Sequence, residues 1–499
     1  MKRKTLTTAV LAGLTGMAGM VSVSNAVNLN PDGLGQVLLY PYYSTRGGND
    51  TLISIVNTTD QAKSVKIRFI EGLNSREVLD FNIYMSAFDV WVAGIVTNTG
   101  GGGQMLTPDR TCTVPYFFQS SPITIGGTQF GRAPFVNYQY TGPNADGGPS
   151  SIARTGSGYI EVIEMGTLVG TAAGWATHVN GVPANCGGLV SRWQAGGEWT
   201  TNAGLDHEPP SGGLFGAGTV VNVGEGTMFT YNATALDAFA GPEQILHTNP
   251  VSINPNLTDG LNTESNVFIN GFLDTQVWPA GPFAVNATLT LNQVMNEYVI
   301  GGDSDAASEW IITFPTKHFH VNTAPGGPQL GAPILPFTST WSVPSPFACE
   351  EINFRFWDRE EREPAPGDVI PSPPPPTPDS FELCIEANVI RFGSGEETPP
   401  GTSEIFKEPF GFPHGYVNFD LPADFSAGWV RFDFNPQADA GIYDHPSIPS
   451  AQGIRYLGLP LIGFWANTHA NGVADGGMVL RNYAGAYQHR GSRRIVLSD

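Results

Sequence analysis

Charge is what this chain has least of. Charged residues make up 14% of its 499 residues, against roughly 25% in an average globular protein. The positive sign is the scarcer: 24 Lys and Arg stand against 45 Asp and Glu, a formal net charge of −21. Phosphate backbones and anionic lipid head groups would repel such a surface, so nucleic acid is excluded as a partner. Divalent cations or a neutral ligand such as a glycan suit it better, and plain solubility suits it best. Cysteine is also sparse, at four positions. The usual catalytic signatures are missing: no G-x-S-x-G, no H-E-x-x-H, no Walker A, no G-x-G-x-x-G. After the first 26 residues no apolar run approaches the roughly 18 residues that a membrane-crossing helix requires, so no transmembrane anchor is expected.

What is present begins with an address. Lys2, Arg3 and Lys4 form a basic start, an uncharged apolar stretch follows, and Ser24-Asn25-Ala26 has the small-x-small form of a signal-peptidase site. Residues 1–26 therefore read as a secretory signal peptide, cleaved before Val27. Such a leader sends the chain where disulfides form and where nucleotide cofactors are scarce. The chain closes on Arg493-Arg494-Ile495-Val496-Leu497-Ser498-Asp499, without the aromatic last residue expected of an outer-membrane barrel. The expected location is periplasmic, outer cell surface or secreted.

Gly (61) and Pro (40) are abundant and aromatics reach 11%. Few charges, many turn formers and many rings predict a mainly β protein with long ordered loops. Short strands recur at 37–43, 51–57, 65–70 and 78–85 with polar turns between them. That rhythm predicts an immunoglobulin-like β-sandwich over 27–98, or continuing to about 165. Val65-Lys66-Ile67-Arg68-Phe69-Ile70 alternates apolar and charged residues, as a half-buried strand does. A β-rich middle region with long loops spans 99–345. Within it a short helix is expected from an Asn232 cap to Phe239, and a second over 286–300 on the spacing of Leu291, Val294, Met295 and Tyr298. Strand 310–314 is expected to continue past Pro315 through 317–321. A β-rich C-terminal region, 346–499, contains alternating strands at 352–357 and 429–434 and a proline-rich loop at 364–378.

Several runs resemble an uncharacterised family of exported proteobacterial proteins. They are Asn30-Pro31-Asp32-Gly33-Leu34-Gly35-Gln36-Val37-Leu38-Leu39-Tyr40-Pro41-Tyr42-Tyr43, Leu79-Asp80-Phe81-Asn82, Gly226-Thr227, Asn296-Glu297-Tyr298, Phe314-Pro315-Thr316-Lys317 and Trp357-Asp358-Arg359-Glu360. The resemblance spans nearly the whole chain after the leader. It implies a Gram-negative origin and supplies no activity, ligand or site residue.

Candidate chemistry is thin. Cys112, Cys186, Cys349 and Cys384 are an even set, as two disulfides would be. Three connectivities are open, proximity in sequence favouring Cys112–Cys186 and Cys349–Cys384. Zinc is the alternative, without a C-x-x-C spacing to support it. His318-x-His320 would put two imidazoles on one face of a strand, although surface or hydrogen-bonded histidines fit the pair better. Asp303-x-Asp305 and Asn144-x-Asp146 follow or precede glycines as calcium-binding turns do, so calcium is the one cofactor considered. Residues 358–363 form an acidic run with interspersed Arg359 and Arg362, read as a solvated turn rather than a catalytic pair. Tyr40, Tyr42, Tyr43, Trp193 and Trp199 suit a core better than a sugar platform.

Together these features favour an exported, non-enzymatic periplasmic or cell-surface protein, structural or adhesive. Its partner would be a cell-surface glycan or another envelope protein. A secreted carbohydrate-active hydrolase is the first alternative, requiring acids gathered in an aromatic-lined cleft. A calcium-stabilised extracellular binding module is the second.

Overall fold

The computed structural model describes residues 25–365, 367–373, 380–395, 399–411, 415–474 and 479–498. Residues 1–24 of the expected leader and part of the expected proline-rich loop lie outside the described residues. The fold is mainly β, with several antiparallel sheets and a few short helices. No helix among the described residues is long and apolar enough to cross a membrane.

Two sheets face each other in the N-terminal half. One runs in the order Asn28–Leu29, Thr234–Asp237, Val37–Ser44, Ser157–Leu168, Lys63–Glu71, Glu77–Met85, Cys112–Val114. The other runs Thr227–Asn232, Leu214–Asn222, Asn49–Asn57, Val90–Thr97, Gly103–Thr107, Thr128–Pro134, Pro122–Ile125. The sheets are therefore completed by strands well beyond residue 98. Between them lie Tyr40, Ile55, Ile67, Phe69, Phe81 and Trp91, all fully buried. The alternation of Val65, Ile67 and Phe69 with Lys66 and Arg68 supplies this inward face.

The other face of the same strand is a correction to expectation. Lys63–Glu71 is buried on both sides along its whole length. Its charges are covered because loops fold over them. Lys63 Nζ contacts Glu164 Oε1 at 2.8 Å and Ser211 Oγ at 2.7 Å. Arg68 bonds Glu77 (Nε–Oε2, 2.7 Å) and Glu161, while Lys66 meets Asp80 and the carbonyl of Pro250 at 2.9 Å. Ion pairing and the covering loop replace the water that a half-buried strand would have kept.

A second pair of sheets makes the C-terminal half. Five strands run Ser380–Leu383, Glu350–Asp358, Ala427–Asp433, Gln293–Val299, Arg490–Ser492. Six run Ile370–Ser372, Val417–Leu421, Ala387–Ser394, Ala306–Thr313, Ile462–Ala474, Val479–Gln488. Their shared core is aromatic: Trp310, Phe354, Phe356, Phe392, Phe419 and Phe432. The six-stranded sheet also packs on its outer side. There Ile311, Val389 and Phe464 join the first core, with Tyr231 stacked on Phe464 at 4.7 Å and Tyr42 edge-on to Phe406 at 4.8 Å. One sheet thus serves two cores and locks the halves together.

Two disulfides connect Cys112 to Cys186 and Cys349 to Cys384.

Three local expectations fail for identifiable reasons. The helix expected over 286–300 lies earlier, at Gly281–Leu289, and Gln293–Val299 is a strand. Val294 and Tyr298 are four apart, a spacing that shares a face in a strand as well as in a helix. Thr234–Asp237 is a strand rather than the middle of a capped helix, because it pairs with both Val37–Leu39 and Asn28–Leu29. His318–Val321 is a single helical turn, not a strand extension. Pro315 lacks the N–H needed to continue the ladder that ends at Thr313.

Candidate functional site

The exposed face of the five-stranded sheet is built by strict alternation. In Glu350–Asp358, Ile352, Phe354 and Phe356 point into the core, leaving Asn353, Arg355 and Trp357 outside. In Ala427–Asp433, Val430 and Phe432 are buried and Trp429 and Arg431 face out. The register sets Trp357 opposite Trp429, and Trp429 opposite Glu297. The two indoles stack at 4.1 Å and 12°. Gly428 permits the close strand approach: a Cβ there would meet the Trp357 carbonyl oxygen at 1.9 Å.

Polar contacts fix this aromatic pair. Trp357 Nε1 donates to Glu363 Oε1 at 2.9 Å. Arg431 lies 5.5 Å from the Trp357 ring centre and pairs with Asp433 at 2.8 Å. Trp429 stays 37% exposed.

A second stacked pair stands on the six-stranded sheet. Trp465 and Tyr487 are cross-strand partners with ring centres 5.1 Å apart. Asn296 Nδ2 donates to the Tyr487 carbonyl at 3.1 Å, tying the two sheets across the gap. Tyr487 is 55% exposed. A Cβ on Gly485 would meet Asn467 Oδ1 at 2.9 Å and Tyr487 Cε2 at 3.1 Å, so the glycine leaves room for both side chains.

Between the pairs runs a groove of about 1130 Å³, lined by Glu297, Trp429, Trp465, Asn467, His469 and Tyr487 among others. Arg359, Glu361 and Arg490 also line it. Aromatic faces flanked by hydrogen-bonding groups are the furniture of a ligand groove.

The acidic run at 358–363 meets this groove only in part. Asp358 lines it, but its carboxylate accepts from the backbone N–H groups of Glu360 and Arg362 and from Arg362 Nε at 2.6 Å. Burial raises its pKa, and the Arg362 contacts outweigh this and hold it below the ordinary carboxylate range. Asp358 therefore fastens a turn and is a poor proton donor at neutral pH. Glu363 is occupied by Trp357.

The other candidate residues lie elsewhere. Asp303 and Asp305 occupy the exposed turn before Ala306–Thr313. His318 and His320 are buried and have different neighbours. His318 Nδ1 is 3.4 Å from Asn74 Oδ1, whereas His320 Nε2 is 2.6 Å from Asn286 Nδ2 and its Nδ1 is 3.1 Å from the Ile334 carbonyl. Burial pushes His318 down to about 3 and His320 to about 4. Asp146 is enclosed by Arg154, Arg76 and Asn74. Burial raises it, but Arg154 and these neighbours pull it down to about 2. Among the described residues the one close grouping of three metal-type side chains is Cys349, Glu382 and Cys384, whose sulfurs form a disulfide.

Tyr40, Tyr42, Tyr43 and Trp199 are core residues, at most 1% exposed. The sequence reading missed Trp429, Trp465 and Tyr487. Trp357 and Trp429 did leave a trace, because each sits at the polar parity of its strand beside Arg355 and Arg431. No family description, curated protein or solved structure matches this chain.

Proposed function

We propose that this is an exported, non-enzymatic binding protein whose aromatic groove holds a cell-surface glycan. The observation that carries this reading is the pair of stacks, Trp357–Trp429 and Trp465–Tyr487, with Trp429, Trp465 and Tyr487 lining one groove. The C–H faces of a pyranose pack on the exposed rings of Trp429 and Tyr487, each backed by its stacked partner, and Asn467, His469, Glu297 and Arg490 supply partners for its hydroxyls. Of the three carboxylates that line the groove, Asp358 is tied into its turn, and Glu297 and Glu361 are left to accept from ligand hydroxyls. The leader-like N-terminus and the two disulfides fit an oxidising location beyond the inner membrane.

Native gels cast with different soluble polysaccharides test the reading. The protein is expected to be retarded by at least one of them, and Trp429→Ala is expected to abolish the retardation. Loss of retardation should not be accompanied by a change in far-UV circular dichroism. Mobility unchanged across a broad panel would overturn the glycan reading. Release of reducing ends from a retarding polymer would replace it with the hydrolase.

A further inference from the structure

We propose that Lys66 and Asp80 are joined by an intramolecular amide bond, formed by the folded chain itself with loss of one water. The two residues sit on adjacent antiparallel strands, Lys63–Glu71 and Glu77–Met85, diagonally across the ladder in which Arg68 faces Asp80 and Lys66 faces Asn82. Their side chains are in contact, 0% exposed for Lys66 and 15% for Asp80.

Three lysine–carboxylate ion pairs exist among the described residues, and this one alone has the makings of a reaction. Lys407–Glu225 is solvated, with side chains 21% and 45% exposed. In Lys63–Glu164 the carboxylate also accepts from Ser211 N at 3.0 Å and Gly212 N at 2.7 Å. Together with Lys63 those donors occupy both carboxylate oxygens of Glu164 and leave neither free to depart. Among the described residues, Lys66 is the one hydrogen-bond donor on the Asp80 carboxyl.

The amine is equally well placed. Its other neighbours are two carbonyl oxygens, Pro250 O at 2.9 Å and Asn249 O at 3.5 Å. A neutral amine can direct its two N–H bonds at these acceptors and its lone pair at the Asp80 carboxyl. Burial lowers the Lys66 pKa. Burial, then the nearby Glu77 carboxylate, raises Asp80 to about 7. Both shifts favour the uncharged pair that amide formation needs.

In the reaction the Lys66 nitrogen bonds to Asp80 Cγ and the Cγ–OH bond breaks. Glu77 accepts the amine proton and returns it to the departing hydroxyl, which leaves as water. No oxidant, metal or cofactor takes part. Arg68 Nε holds Glu77 Oε2 at 2.7 Å, and the Glu77 charge is felt by both Lys66 and Asp80. The product keeps one N–H for the Pro250 carbonyl.

Intact mass spectrometry of the purified, reduced chain is the direct test. Wild type is expected to be lighter than its sequence by one water. A proteolytic digest should contain a branched peptide linking Lys66 to Asp80. Lys66→Arg and Asp80→Ala are expected at full sequence mass. Glu77→Gln is expected to form the link more slowly after refolding, and an unchanged rate would remove Glu77 from the mechanism. Wild type at full sequence mass, or a water loss that the digest places at other residues, would overturn the proposal without need of any variant.

Discussion

Replacing Arg154 by Met is a sharp test of the buried ionic layer. Arg154 is 1% exposed and bridges two carboxylates. Its Nε and Nη2 contact Glu71 at 2.8 and 2.9 Å, and its Nη1 and Nη2 contact Asp146 at 2.9 and 2.7 Å. Glu71 keeps backbone donors from Leu73, Asn74 and Arg76 in the variant, and Asp146 keeps Asn74. Asp146 also keeps the Gly148 N–H and the Arg76 charge, whose Nε lies 3.4 Å away, whereas Glu71 loses its ion pair. Removing one partner of a buried pair costs about 3–5 kcal/mol. The loss should appear in urea unfolding at pH 7 as a lower midpoint with an unchanged slope.

The pH dependence sharpens the same test. Asp146 is held at about 2 in the folded chain, below the ordinary value of about 3.9. A carboxyl depressed by that much contributes about 2.6 kcal/mol above its unfolded pKa, and loses it as pH falls through its folded pKa. Wild type should therefore lose stability between about pH 4 and 2 in a step that the Arg154→Met variant shows only in part. A variant within about 1 kcal/mol of wild type at pH 7, or one with an identical acid profile, would refute the reasoning.

Other expectations are independent of that cluster. Burial depresses His207, His320 and His489 to about 4; such groups stabilise above an unfolded pKa near 6.5 and lose this as pH falls. These histidines therefore pull the urea midpoint down as pH falls from about 6.5 to 4, and His489→Gln should lose less stability over that range than wild type. The carboxyls of Glu309 and Glu386, raised by burial to about 7 and 8, act oppositely and cost stability as pH rises through those values. Cys112–Cys186 spans 74 residues, so Cys112→Ser with Cys186→Ser should cost about 2–5 kcal/mol in the same urea assay. Gly485→Val should crowd Asn467 and Tyr487 and weaken glycan retardation while leaving the melting temperature within a few degrees.

The strands with clean alternation were legible from residues alone. Ile352–Trp357 and Trp429–Phe434 each declare an inner and an outer face, and the structure uses both. The disulfide pairs followed from proximity in sequence. Where one apolar spacing satisfied both helix and strand, as with Val294 and Tyr298, only long-range pairing decides. The charged parity of 65–70 could not reveal that the segment at 249–250 covers it, since that contact joins residues far apart in the chain. The groove was hidden for the same reason. Trp429 and Tyr487 become neighbours of one cavity only after the two C-terminal sheets pack, and no local motif announces such a meeting.

Isothermal titration of the purified protein with an oligosaccharide cut from a retarding polymer tests the central claim most directly. The account predicts saturable binding at one site, quenching of tryptophan fluorescence, and loss of both in Trp429→Ala with an unchanged melting temperature. Saturable binding that survives intact in both Trp429→Ala and Tyr487→Ala would contradict it.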